Sequence, residues 1–158
     1  MTPIAVVAAV IEQDDAFLLT RRPAGTHLAG HWEFPGGKVH AGETHVEALR
    51  REMLEELDAA ADVGGLVHTV THAYPEKTVE LFFYRCLLRG VPTPLLGQQM
   101  RWVPRAELSS LPFPEADRDL APEGKARGRR RLRGQQRREG WFTHGVGISV
   151  ARPAATAR

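Results

Sequence analysis

Three carboxylates fall within one short run of the chain: Glu52, Glu55 and Glu56. At spacings i, i+3 and i+4 they share one face of a helix. Like charges so close repel one another, so a purely structural helix gains nothing from them. A hard divalent cation does gain, because it takes oxygen ligands and leaves coordination positions open for a phosphate. The chemistry such a site would support is metal-assisted attack of water on a phosphoanhydride. The segment that must position the three groups is residues 37–59, a glycine-bearing loop followed by one helix. Thr44 is suited to the N-cap and Glu47 stands three residues on, the spacing of a capping box. Val46, Leu49, Met53 and Leu57 then recur at helical spacing and form an apolar stripe separate from the acidic face.

The same segment resembles a known family. Gly37, five residues, Glu43, seven residues, and then Arg51-Glu52-Met53-Leu54-Glu55-Glu56 follow the Nudix box, G-x5-E-x7-R-E-U-x-E-E-x-G-U, with every charged position filled. One position departs: Asp58 stands where the motif has its second glycine. A left-handed conformation is common there, and Asp adopts it at a cost of about 1 kcal/mol relative to Gly. The expectation is a modest stability penalty with no ligand lost. The resemblance extends through TRRPAGTHLAGHWEFPGGK at residues 20–38 to the bacterial MutT-type subgroup, and spans about residues 4–120.

That resemblance implies a Nudix α/β/α sandwich with a mixed β-sheet and the box loop-helix. It implies Mg2+ as cofactor, with Mn2+ as the substitute ion, held by Glu52, Glu55, Glu56 and the carbonyl of Gly36. The metal would acidify or orient the attacking water, with one of the three glutamates as general base in the alternative, and Arg51 would orient a carboxylate, Glu43 by the family pattern. The implied reaction converts a nucleoside triphosphate to a monophosphate plus pyrophosphate. An oxidised purine such as 8-oxo-dGTP leads, with nucleotide-pool sanitisation as the role. CTP or dCTP follows, since related subgroups share EFPGGK and a final Asp. Another Nudix class acting on a dinucleoside or nucleotide sugar would call for longer insertions than this compact core carries. A non-catalytic module that only binds nucleotide or nucleic acid would have no need of the intact carboxylates.

Four residues bear on substrate, each with a plainer alternative. Arg22 reads as a phosphate clamp, because guanidinium matches phosphate geometry, or as one of two solvated arginines. Phe34 reads as a wall of the base pocket or as a core aromatic. Lys38 meets a phosphate or stays solvated. Asp117 matches the Asn or Asp that contacts the base edge in the family, or it is a solvated or helix-terminal carboxylate. Many family members carry a further carboxylate before the strand of Trp102, where this chain reads Gly97-Gln98-Gln99-Met100. A glutamine could coordinate there only through a neutral carbonyl.

The elements around the box follow from pattern. Residues 4–11 form a continuous apolar run and 16–22 a second strand, with 12–15 as the turn of a hairpin between them. Residues 23–31 read as a loop, and Gly30 there argues against a helix pairing His27 with His31 for zinc. After the helix, 62–65 reads as a turn, 66–73 as a strand and 74–77 as a turn. The run 78–88 is apolar on both faces and therefore central in its sheet. Residues 100–103 form a short strand and 105–111 a short helix.

At 158 residues, 42% of them apolar, the chain is expected to form one domain with a sizeable core. Its longest apolar run is too short to span a bilayer and lacks the features of a signal peptide. The single cysteine, Cys86, fits a reducing cytoplasm. Charge divides the chain: residues 1–121 carry 11 Lys+Arg against 17 Asp+Glu, and 122–158 carry 10 against 2. The expected organisation is a hydrolase domain over 1–121 and an atypical basic Arg/Gly-rich tail over 122–158. Such a tail is more often a solvated arm than a nucleic-acid-binding segment, though its charge suits RNA or DNA phosphates.

Overall fold

The computed structural model describes residues 2–114 and Arg118. Asp117 and the basic segment 122–158, with Trp141 and Phe142, lie outside the described residues. Two sheets share the core. In the first, β1 (Ile4–Val10) runs parallel to β7 (Lys77–Arg89), with β5 (Gly36–Lys38) antiparallel on its other edge and β6 (Ala60–Tyr74) antiparallel beyond β7. In the second, β3 (Ala16–Arg21) pairs with β8 (Met100–Pro104) along one edge, and with β2 (Glu12–Gln13) and β4 (Trp32–Glu33) along the other.

Helix α1 (His45–Leu57) buries Ala48, Leu49, Met53 and Leu57 against Val7, Ala9 and Cys86 of the first sheet and Leu18 of the second. The opposite faces of the same strands, through Ala8, Leu81, Phe83, Phe17 and Leu19, pack with Phe34, Phe113 and Leu108 of the 3-10 helix Arg105–Ser110. β1 and β7 are therefore covered on both faces, which explains their continuous apolar character. The central position expected for residues 78–88 holds, as do the mixed sheet and the packed box helix.

Thr44 caps α1 as expected, accepting from the Glu47 N–H at 3.2 Å while the Glu47 carboxylate accepts from the Thr44 N–H at 2.8 Å. At the other end Asp58 adopts φ 50°, ψ 37°, the left-handed geometry expected where the motif has glycine.

Two expectations need correction. Residues 4–11 do not form a hairpin with 16–22. Asp14 and Asp15 both take positive φ, 51° and 58°, and make a tight turn that joins β3 to the short β2 instead. The chain crosses between sheets at Ile11, whose carbonyl accepts from the Leu18 N–H at 3.0 Å. Residues 62–65 are not a turn either, because β6 runs through them. Gly64 and Gly65 are turn-like in composition, but here they accompany register shifts against β7 between Val63 and Leu66 and between Leu66 and His68. Glycine in a strand serves such bulges as readily as turns.

The Asp58 side chain is exposed and sits at the negative end of the helix dipole. Asp58→Gly is therefore expected to raise stability by about 1 kcal/mol. Thermal unfolding should show a rise of about 2–4 °C. Unchanged activity in the same protein would accompany it if Asp58 has no part in the site.

Candidate active site

Arg51 is the centre of the box. Its Nε donates to Glu43 Oε1 at 2.6 Å and its Nη2 to Glu43 Oε2 at 2.9 Å, a bidentate pair. Nη2 also donates to the Lys38 carbonyl at 2.9 Å. Nη1 reaches Glu52 Oε1 at 2.8 Å and Glu55 Oε2 at 3.2 Å. A guanidinium has five N–H donors, so each has an acceptor. One side chain thus joins the loop, the turn before the helix cap and two carboxylates of the acidic face. Arg51 holds the Glu43 carboxyl down at about 2, aided by the His40 N–H. Glu43 in turn, with Glu52, raises the proton affinity of Arg51 above its ordinary value.

Gly36 and Gly37 have separate steric duties. A Cβ on Gly36 would lie 2.0 Å from the Val7 carbonyl oxygen, so only glycine lets β5 pair with β1 here. A Cβ on Gly37 would lie 2.2 Å from Glu52 Oε1, so the bare backbone leaves room for that carboxylate.

Glu56 projects towards a cleft of about 310 Å³ that Gly36, Gly37, Lys38, Arg22 and Phe34 also line. Its carboxyl is pushed up to about 8, first by burial and then by the charges of Glu52 and Glu33; a Gly36 backbone hydrogen bond and Arg22 act against this. Arg22 lies at the cleft with its Nη1 on Glu33 Oε2 and its Nε on the His27 carbonyl, both at 2.7 Å. Phe34 serves both readings made of it. It is a buried core aromatic, 6.3 Å edge-on from Phe17 and 5.9 Å from Phe83, and it also lines the cleft. The Lys38 side chain is exposed at the cleft wall.

The sequence did not point to Glu33, Tyr74 or Lys77, which also border the cleft. Glu33 had a signal. It stands between Trp32 and Phe34, both packed in the core, so the period of a strand turns it away from them. Burial raises the Glu33 carboxyl, with Arg22 opposing. Tyr74 and Lys77 had none, because the β6–β7 turn reaches the cleft only through tertiary folding.

Among the described residues no three His, Cys, Asp or Glu side chains form a ready chelating group. Glu52 and Glu55 are engaged by Arg51 instead. The donor set nonetheless suits a divalent ion: it consists of hard oxygens, and a cation would offset both the burial and the neighbouring charges of Glu52 and Glu33 that raise Glu56. The amide oxygens of Gln98 and Gln99 are both already used within the fold. Gln98 Oε1 accepts from the Leu96 N–H at 2.8 Å, and Gln99 Oε1 from Arg21 Nη1 at 3.1 Å. No helix among the described residues is long and apolar enough to cross a membrane.

Residues 6–122 match the NUDIX domain model, and the chain belongs to that family. It is 38% identical over 121 residues to the 8-oxo-dGTP diphosphatase of Haemophilus influenzae, covering 74% of this chain and 88% of that one. It is 52% identical over 67 residues to the CTP pyrophosphohydrolase of Escherichia coli, covering 42% of this chain and 50% of that one. The fold superposes on a crystal structure of a MutT NUDIX hydrolase from Burkholderia pseudomallei with a TM-score of 0.70 at 27% identity, covering 77% of this chain and 97% of that one. Within the family the chain is a MutT-type Nudix hydrolase, an enzyme that cleaves phosphoanhydrides. Enzymes of this family generally use divalent metal ions.

Two outcomes follow from the Arg51 network. Arg51→Lys keeps the charge but cannot reproduce five directed donors, so kcat is expected to fall by about 10–100-fold in steady-state assays while the protein stays folded. The Glu43 carboxyl is lowered from 4.5 to about 2, so its contribution to stability is complete above pH 4.5 and is lost as pH falls towards 2. Denaturant titrations should therefore show the stability gap between wild type and Glu43→Gln closing over that interval, and a gap independent of pH would contradict the assignment.

Proposed function

We propose that the chain is a Mg2+-dependent nucleoside triphosphate pyrophosphohydrolase. Its leading substrate is 8-oxo-dGTP, the products are the nucleoside monophosphate and pyrophosphate, and the role is sanitisation of the nucleotide pool. The observation that carries this reading is the cleft itself. Glu56 and the Gly36 backbone stand at a hollow whose apolar walls include Val6, Ala8, Phe34 and Leu81, with Arg22, Lys38 and Lys77 as bordering cations. An apolar hollow suits a base, and the cations suit a polyphosphate.

In this reading Glu52, Glu55, Glu56 and the Gly36 carbonyl hold the metal ion, with Mn2+ as an alternative to Mg2+. The bound ion would neutralise charge developing on the phosphates and lower the pKa of a water. Arg22 and Lys38 orient the phosphates. Arg51, tied to Glu43, holds the Glu52 and Glu55 carboxylates together. Phe34 walls the base, and Asp117 contacts its edge. Pro114, three residues before Asp117, already lines the cleft. The nucleotide pool and the single buried cysteine, Cys86, agree with a cytoplasmic location.

A second reading takes CTP or dCTP as the substrate. It is favoured by the 52% identity over 67 residues to the enzyme named for CTP.

The test is pyrophosphate release with Mg2+ from 8-oxo-dGTP, dGTP, CTP and dCTP, alongside product analysis of ADP-ribose and a diadenosine polyphosphate. Selective turnover of 8-oxo-dGTP is expected, with kcat lowered by about 10²–10⁴ in Glu56→Gln. Selective turnover of CTP would move the assignment to the second reading. Folded protein inert towards every compound would overturn catalysis in favour of a binding module.

A further inference from the structure

The last carbonyls of a helix lack partners within it and must find them elsewhere. At the end of α1 two of them are filled by the segment before β8. The Leu57 carbonyl accepts from the Thr93 N–H at 2.7 Å, and the Glu56 carbonyl from the Leu95 N–H at 2.9 Å. The Glu56 carbonyl also accepts a second bond, from Gln98 Nε2 at 3.1 Å. Gln98 is only 9% exposed, and its other end accepts from the Leu96 N–H. Its orientation is forced, because a carbonyl must face an NH2 and an N–H must face an oxygen.

We propose that Gln98 is a positioning residue for Glu56. Its amide is a strut between the 93–98 segment and the main chain of the one box glutamate that is both half-buried and at the cleft. Glu56 keeps its carboxylate beside Glu52 and Glu33 against their repulsion. That placement requires a fixed backbone, and the turn at Glu56 is where the helix ladder itself runs out of donors. The Leu95 N–H replaces the missing ladder donor, and the bond from Gln98 adds a second, side-chain tie to the same carbonyl. A buried amide with both ends satisfied is costly to disturb, since removing it leaves polar groups without partners. The strut acts on metal binding through Glu56 and makes no contact with substrate.

This inference rests on the reading that Glu56 is a metal ligand, so the experiment carries Glu56→Gln as a reference. Mn2+ binding to the full chain is measured by the electron paramagnetic resonance of free Mn2+, without nucleotide, for wild type, Glu56→Gln, Gln98→Met and Gln98→Glu. Met keeps the length and apolar stem and removes both bonds; Glu keeps the acceptor and turns an oxygen on the Glu56 carbonyl. Both Gln98 variants are expected to bind Mn2+ about 10-fold more weakly, with kcat lowered and KM for the nucleotide little changed. Wild-type affinity in folded Gln98 variants, with Glu56→Gln impaired, would overturn the strut. Wild-type affinity in Glu56→Gln would overturn the metal-ligand reading beneath it. A second measurement needs no variant: in wild-type protein titrated with Mg2+, the Gln98 side-chain NH2 resonances should shift with the same midpoint as the Glu56 backbone amide. Resonances that stay in place while Glu56 moves would likewise reject the proposal.

Discussion

Everything at the cleft depends on one guanidinium. Four carboxylates, Glu43, Glu52, Glu55 and Glu56, crowd one side of a short helix and its approach loop, and without a compensating charge they would push apart. Arg51 meets the first three directly and spends its remaining donor on the Lys38 carbonyl. Because a guanidinium is planar and rigid, satisfying all five donors fixes the acceptors relative to one another. The loop, the helix and two acidic side chains are thereby held as one unit. Glu56 is the one of the four that Arg51 does not meet, and burial, followed by the charges of Glu52 and Glu33, raises its proton affinity.

The surrounding fold serves to bring this unit to a hollow. β5 is pressed against β1 so closely at Gly36 that no side chain fits, and α1 lies over β5 so closely that Gly37 meets the Glu52 carboxylate. The loop glycines thus set the depth at which the acidic face approaches the backbone. The apolar stripe of α1 seats the helix, and the capping box at Thr44 fixes where it begins. The far end depends on distant residues. Donors from residues 93–98 complete what the helix cannot supply, which ties the box to the segment that leads into β8.

Much of this was legible in the order of residues. A capping box, a helical stripe and carboxylates at i, i+3 and i+4 are local patterns, and local patterns determined the box helix, its start and its acidic face. The left-handed Asp58 followed from the same local logic. The failures were long-range. The Asp14-Asp15 turn reads the same whether it returns to residues 4–11 or to two residues beside it, and only the second sheet decides. Gly64 and Gly65 carry turn composition into a strand because β7 runs long enough to pair across a bulge. Gln98 looked like a weakened ligand because its distance from the helix end was invisible. Glu33 and the β6–β7 turn with Tyr74 and Lys77 converge on the cleft from two separate segments, and nothing short of the fold brings them together.

The central claim is that the Arg51-organised carboxylates and the Gly36 backbone hold a divalent ion on a nucleoside triphosphate. The most direct test is anomalous scattering from crystals of the full chain grown with Mn2+ and a non-hydrolysable triphosphate analogue. The account predicts an anomalous peak within bonding distance of the Gly36 carbonyl, of carboxylates on the acidic face including Glu56, and of the phosphates. A nucleotide bound in the cleft with no peak there, or with the metal held away from these residues, would contradict it.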